Sequence, residues 1–186
     1  SFVNDGHNIP QRSFFEKLPI ILAVLAQKPN DLTNAIQNYP DWKPMTEYNK
    51  KAAWTDQYSN ILEVLEQAEL LIRIMPYGSN SKKVRKPSRY QFMSSAMRSA
   101  FLSVAGNEQI FIGQKGRLME DIVAMTLHRE FVASSRGALN HDSSKGSADF
   151  ILTIAEKSII PIEVGVGEKL GTQVRKTMKK VHSAKY

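Results

Sequence analysis

The sequence contains no cysteine among its 186 residues. This absence excludes a disulfide framework, thiolate-bound metal sites and a cysteine nucleophile. It agrees with a reducing compartment, and we expect a cytoplasmic location. Long apolar runs are also missing, because the longest, Leu18 to Ala26, is interrupted by Pro19 and is too short to span a membrane. We therefore expect no membrane partner.

Nucleotide-binding and metal-binding histidine motifs are absent as well. No Gly-x-x-x-x-Gly-Lys-Ser/Thr sequence occurs, and the nearest approach, Gly165 to Thr172, has the wrong spacing for a phosphate-binding loop. None of the four histidines pairs with another at metal-ligand spacing. We expect no nucleotide site in this chain. Its first residue is Ser1 rather than methionine, which is typical of an excised fragment.

Positive charge is in excess and unevenly distributed. The chain has 25 lysines and arginines against 18 acids, a formal net charge of +7. The first basic cluster comprises Lys82, Lys83, Arg85, Lys86 and Arg89, and the C-terminal cluster includes Lys169, Arg175, Lys176, Lys179, Lys180 and Lys185. Two such clusters favour a polyanion such as DNA as partner, contacted through its backbone without sequence preference. The alternative is an ordinary basic domain.

The N-terminal half has the pattern of a winged helix. Apolar periodicity predicts helices at 12–27, 31–38, 46–53 and 55–69. Strands at 70–77 and 89–93 then form a hairpin whose tip is the first basic cluster. The 55–69 helix carries four acids and no Lys or Arg, which argues against sequence-specific reading of DNA. The basic wing is the better candidate for phosphate contact.

The C-terminal half is predicted to alternate helices and strands. A connecting helix at 94–103 precedes a long helix at 114–132, strands at 137–140, 148–155 and 158–164, and a final helix at 171–182. The polar segment 140–146 is expected to be a mobile loop. We predict an α+β fold of two units, with a winged-helix segment at 1–105 and a compact α/β unit at 106–186.

Two acids lie where predicted strands are otherwise apolar. Asp149 opens the 148–155 strand, and Glu163 lies between Ile162 and Val164. A carboxylate in a β run is costly unless a metal or a partner compensates it. The pair therefore suggests a divalent-cation site of the kind that acts on phosphodiesters. The alternative is a turn residue at Asp149 and a solvent-facing Glu163.

The order of these motifs resembles a known nuclease superfamily. Gly116-x-x-x-Glu120 on a helix, Ser147-Ala-Asp149-Phe and Pro161-Ile-Glu163-Val on strands are similar to the core of the PD-(D/E)xK nucleases. The resemblance implies a restriction-endonuclease-like fold in which Glu120, Asp149 and Glu163 bind Mg²⁺. Together with Leu65 to Tyr77, the chain resembles the C-terminal region of an archaeal and bacterial family of AAA-type ATPases. An ATPase motor in cis and a homo-oligomer are then expected partners.

The chain departs from that superfamily at a catalytic position. Gly165 stands where the resemblance implies a lysine that positions the attacking water, and Lys169 is the nearest substitute. Gln173 matches a helical glutamine of some relatives, whereas Thr177 replaces their tyrosine. We therefore favour an accessory module that binds nucleic acid or a partner through a degenerate nuclease-like core. The alternatives are an active Mg²⁺-dependent deoxyribonuclease and a structural docking or oligomerisation domain.

Overall fold

The computed structural model describes residues 11–27, 52–104, 114–155, 158–165 and 171–183. Within these ranges the helices are α1 (Gln11–Gln27), α2 (Ala52–Gln67), α3 (Asn80–Arg85), α4 (Ser95–Val104), α5 (Lys115–Leu127) and α6 (Thr172–Ser183). The strands are β1 (Leu71–Pro76), β2 (Arg89–Phe92), β3 (Gly137–His141), β4 (Phe150–Ile154) and β5 (Ser158–Ile162). The predicted helix at 31–38 and most of the one at 46–53 lie outside the described residues.

The predicted α+β class is confirmed, and the predicted elements recur at nearly the same positions. The exception is α3, which occupies part of the segment predicted to be a turn and basic tip. A π-helical turn, His128–Val132, continues α5. Among the described helices, none combines the length and the apolar character needed to cross a membrane.

One compact unit is helical and contains a buried arginine. The helices α1 and α2 contact each other and bury apolar side chains that include Ile21, Leu25, Ile61 and Leu65. Arg98 of α4 is fully buried and donates hydrogen bonds to the Leu25 and Ala26 carbonyl oxygens, at 3.1 and 2.7 Å. Carbonyls in the last turn of a helix lack intrahelical partners, so a cation there satisfies both hydrogen bonding and the helix dipole.

The other unit is built on a mixed five-stranded sheet in the order β2-β1-β3-β4-β5. β1 runs parallel to β3, with Met75 opposite Asn140. β3, β4 and β5 form an antiparallel meander, with Leu139 opposite Leu152 and Phe150 opposite Ile162. The core of this unit consists of buried residues of β1, α5, β3 and β4 with one residue after β5: Ile72, Ile74, Ala124, Leu139, Phe150 and Val164.

The predicted hairpin strands belong to a larger sheet. β1 and β2 are neighbours, as in the predicted hairpin, but β1 also pairs with β3 and so does not belong to a separate wing. The reason is burial: four of the six residues of β1 are buried, as expected for a strand with neighbours on both sides. A wing that projects into solvent would bury far less.

The predicted boundary at 105/106 lies outside the described residues, which divide into two compact units. Described residues up to Leu71 and from Ala96 to Val104 belong to the helical unit. Ile72–Ser95 and the described residues from Gln114 onward belong to the sheet unit. In that unit α5 packs on β2, where the Phe92 amide donates to the buried Asp121 carboxylate at 3.1 Å. α6 packs beside β5.

Candidate functional site

The two predicted strand acids lie side by side. Asp149 immediately precedes β4, and Glu163 immediately follows β5. Because Phe150 pairs with Ile162, the antiparallel register brings both acids to the same end of the two strands. The Val164 amide donates to Asp149 Oδ2 at 2.8 Å and ties the two strand ends together. Asp149 and Glu163 are each half-buried.

The helical acid has a different partner. Glu120 of α5 accepts a hydrogen bond from Gln91 Nε2 of β2, at 3.2 Å, and Gln91 is buried. Among the described residues, no three of the histidines, aspartates and glutamates are grouped so that they could hold a metal ion. Lys169 lies outside the described residues. Of the three predicted acids, only Asp149 and Glu163 are therefore shown to lie together.

A different carboxylate, Asp142, has several hydrogen-bonding partners in this region. It follows β3 directly and is only 2% exposed. Lys180 Nζ of α6 contacts its Oδ1 at 2.5 Å, the Ser144 amide donates to the same oxygen at 3.0 Å, and the Thr177 hydroxyl lies 3.4 Å from Oδ2. Burial alone would raise the pKa of Asp142, but the hydrogen bonds from Lys180 and Ser144 lower it below its usual value. Asp142 is therefore ionised at neutral pH.

The segment 140–146 is fastened to α6, which corrects the expectation of a mobile loop. Thr177 is fully buried, and its hydroxyl accepts a hydrogen bond from the Ala148 amide at 3.0 Å. Lys176 Nζ donates to the Lys145 carbonyl oxygen. Lys180 Nζ also contacts Ser144 Oγ at 2.5 Å. The polar groups of this segment thus accept hydrogen bonds from lysines of α6.

The fold brings members of both basic clusters to Asp142. Lys82 of α3 lies within electrostatic range of Asp142 and of Lys180. Partial burial and the repulsion from Lys180 lower the pKa of Lys82, and Asp142 opposes this effect. One lysine from each cluster therefore lies near a single buried carboxylate. This arrangement joins two segments that are almost a hundred residues apart in the sequence.

Arg89 connects Asp142 to the strand acids. It lies on β2, and burial lowers the pKa of its guanidinium, whereas the charges of Asp149 and Asp142 raise it. An arginine remains protonated despite such a shift. Asp149 therefore has a fixed positive charge in its electrostatic neighbourhood, supplied by the protein itself.

His141 is a buried, neutral residue of the same region. Its Nε2 lies 3.2 Å from the Pro87 carbonyl oxygen, an acceptor, so the Nε2–H tautomer makes this hydrogen bond. Burial first, and then the positive charge of Arg89, lower the pKa of His141 to about 4. At neutral pH the imidazole adds no charge to the site.

The remaining predicted phosphate-contact residues differ in exposure. Arg85, Lys86 and Lys179 are exposed, and Lys83 is half-buried. Lys86 lies within electrostatic range of Lys82, which extends the positive surface along α3. Asp142 is not among the site residues predicted from the sequence. Its sequence signal is weak. Asp142 is followed two residues later by Ser144, a pattern typical of a turn in which the aspartate side chain accepts a hydrogen bond from a backbone amide.

Comparisons with known proteins give one distant relative. The chain is 38% identical over 129 residues to an uncharacterized protein of Methanocaldococcus jannaschii, a match that covers 68% of this chain and 26% of that protein. The chain thus spans about a quarter of the length of this relative. The sequence matches no known protein family. No solved structure matches it either.

Proposed function

We propose that the chain is a nucleic-acid-binding module that contacts phosphates through one surface formed by both basic clusters. The observation that carries this proposal is the contact of Lys180 with the buried Asp142, and Lys82 of the first basic cluster lies within electrostatic range of both. Cations from separate segments that meet on one surface suit a polyanion with regularly spaced charges. The net charge of +7 favours the same partner at longer range.

The sheet supports a nuclease-like ancestry for this module. The superfamily named above has a helix followed by strands that carry two acids, and its minimal sheet has four strands. Here α5 precedes the β3-β4-β5 meander, and β1 lies parallel to β3 as a further strand. Asp149 and Glu163 occupy matching ends of neighbouring strands. We propose that the core descends from such a nuclease.

The surroundings of the acids favour binding over catalysis. Gly165 supplies no amine where the resemblance implies one. Glu120 is hydrogen-bonded to Gln91, and Arg89 places a positive charge in range of Asp149. A fixed cation there opposes a divalent metal ion by direct repulsion and supplies part of the neutralisation that a metal would otherwise provide. We therefore propose that the core is catalytically degenerate.

Binding without metal is the first expected result. A short fluorescein-labelled DNA duplex of mixed sequence, titrated in EDTA and followed by anisotropy, should bind the chain. The logarithm of the affinity should fall linearly with the logarithm of salt concentration, and the affinity should fall at least about tenfold between about 50 and 200 mM salt. A second duplex of unrelated sequence should bind equally well. Absence of binding at low salt in EDTA would overturn the proposed function.

An active nuclease is the second candidate, because Asp149 and Glu163 lie side by side. We expect supercoiled plasmid to remain intact with excess protein in Mg²⁺ or Mn²⁺. The contrary result would be nicking that is lost in both Asp149→Asn and Glu163→Gln but retained in Lys115→Gln, a control on the exposed start of α5. That pattern would establish a metal-dependent deoxyribonuclease and overturn the proposal of a degenerate core.

At the level of the whole protein, we propose an accessory role beside an ATPase motor. This proposal rests on the resemblance of the motifs, and the relative named above extends well beyond the part that this chain covers. A docking or oligomerisation role is the competing outcome. It would be indicated by a chain that self-associates in analytical ultracentrifugation and binds no DNA.

A further inference from the structure

A buried negative charge lies beneath the proposed phosphate-binding surface. Asp142 is 2% exposed, and its oxygens are contacted by Lys180, Ser144 and Thr177. An acid in a surface that binds polyanions should weaken binding by simple repulsion. Its burial and its three contacts call for a different account of its role.

The lysines of this surface need a counter-charge to remain close together. Lys82 and Lys180 lie within electrostatic range of each other, and their repulsion disfavours the charged form of Lys82. A free lysine side chain also has many rotamers, which must be restricted when it contacts a phosphate. The carboxylate of Asp142 attracts both amines and receives a direct bond from Lys180. It therefore offsets both the repulsion and the cost of ordering.

Asp142 also links these lysines to the sheet. It follows β3, so its backbone is positioned by the β3-β4 pairing, and the Thr177 hydroxyl joins it to α6. Arg89 of β2 lies within its electrostatic range as well. A cation of α6 thus contacts this buried acid directly, and cations of α3 and β2 lie within its electrostatic range.

We propose that Asp142 is a positioning residue that organises the cations of the nucleic-acid surface before the ligand arrives. This inference rests on the proposed function and specifies how the same surface reaches its affinity. A preorganised surface binds more tightly because less side-chain ordering remains to be done on association. Net charge alone predicts that removal of this acid, which raises the net charge by one, strengthens binding. The proposed role of Asp142 predicts that its removal weakens binding.

The test compares two variants that change the net charge equally. Asp142→Asn is nearly isosteric, and we expect it to weaken duplex binding roughly five- to tenfold in EDTA, since Lys180 loses its direct ion pair and Lys82 loses an attractive charge. Glu130→Gln removes an exposed acid of the π-helical turn, whose side chain is 62% exposed. It should leave affinity unchanged or slightly increased. Circular dichroism melting establishes that both variants are folded.

Lysine reactivity measures directly whether Asp142 holds the Lys180 amine in the protein without DNA. In the wild-type chain without DNA, Lys180 should react more slowly with an acetylating reagent than its exposed neighbour Lys179, as followed by mass spectrometry. In Asp142→Asn this difference should disappear, and in Glu130→Gln it should persist. The wild-type comparison needs no variant, so it applies even if Asp142→Asn does not fold.

The possible failures are distinguishable. If the wild type binds DNA and Asp142→Asn binds as tightly or more tightly, the inference is overturned and the proposed function stands. Equal reactivity of Lys180 and Lys179 in the wild type also overturns the inference. If the wild type binds no DNA, the proposed function and this inference fail together.

Discussion

Replacement of both Lys82 and Lys180 by glutamine should weaken duplex binding on the order of fiftyfold at about 100 mM salt. The reason is that each phosphate contact releases nearly one counterion, and the two lysines are proposed to contact phosphates on one surface. Each single variant should account for roughly half of the loss on a logarithmic scale. Fluorescence anisotropy in EDTA measures the effect.

The control removes the same charge from elsewhere in the same unit. Lys115 begins α5 and Arg129 lies in the π-helical turn, and both are exposed and outside the two basic clusters. The variant Lys115→Gln with Arg129→Gln should lose no more than a few-fold in affinity, through the change in net charge alone. Equal losses in the two double variants would mean that the overall charge, and not a defined surface, attracts the DNA.

Substitution of Gly137 by alanine should destabilise the sheet unit by about 2–3 kcal/mol. A Cβ atom at Gly137 would lie 2.5 Å from the Thr153 carbonyl oxygen, a backbone atom of the neighbouring strand that cannot rotate away. β3 and β4 must then separate at the point where they begin to pair. Urea denaturation followed by circular dichroism measures the loss.

Gly116→Ala is the matched control for this prediction. Apart from its chain neighbours and the backbone of its own helix, no atom lies within 4 Å of the position that its Cβ would occupy, and the residue lies in α5. Alanine is the better helix former by up to about 1 kcal/mol, so this variant should be as stable as the wild type or more stable. A Gly137→Ala variant as stable as Gly116→Ala would contradict the described pairing of β3 with β4.

The local elements of the fold could be predicted from the sequence because each has its own signal. The helical periodicity of apolar residues identified α1, α5 and α6. Short apolar runs bounded by turn residues identified β4 and β5. The partners of β1 could not be predicted in this way. Met75 and Asn140 are 65 residues apart, and the strand pattern of β1 is equally compatible with a hairpin. Its pairing with β3 was therefore not predicted.

The end of α2 shows a similar limit. Glu69 adopts a left-handed conformation, with φ of 55°, in a position where glycine is usual. The Leu70 amide donates to the Leu65 carbonyl oxygen and the Glu69 amide to that of Glu66, which completes a Schellman motif. No sequence signal for this cap exists when glutamate occupies the left-handed position. The cap forms because these two backbone hydrogen bonds satisfy the last carbonyl groups of α2, although glutamate does not favour the left-handed conformation.

Only the part of the candidate site that lies on consecutive strands could be predicted from the sequence. Asp149 and Glu163 flank consecutive antiparallel strands, so their proximity follows from the strand pattern. Glu120 depends on how α5 packs on β2, and its bond to Gln91 has no sequence signal. Asp142 was assigned to a loop by its polar neighbours. Its burial comes from α6, which is more than thirty residues distant.

The central claim is that the two basic clusters form one surface that binds nucleic-acid phosphates. Its most direct test is the salt dependence of duplex binding in EDTA, measured for the wild type and for Lys82→Gln with Lys180→Gln. The slope of log affinity against log salt should be smaller in magnitude by about two in the double variant, since two phosphate contacts are lost. Equal slopes would show that these lysines do not contact the DNA and would contradict the account.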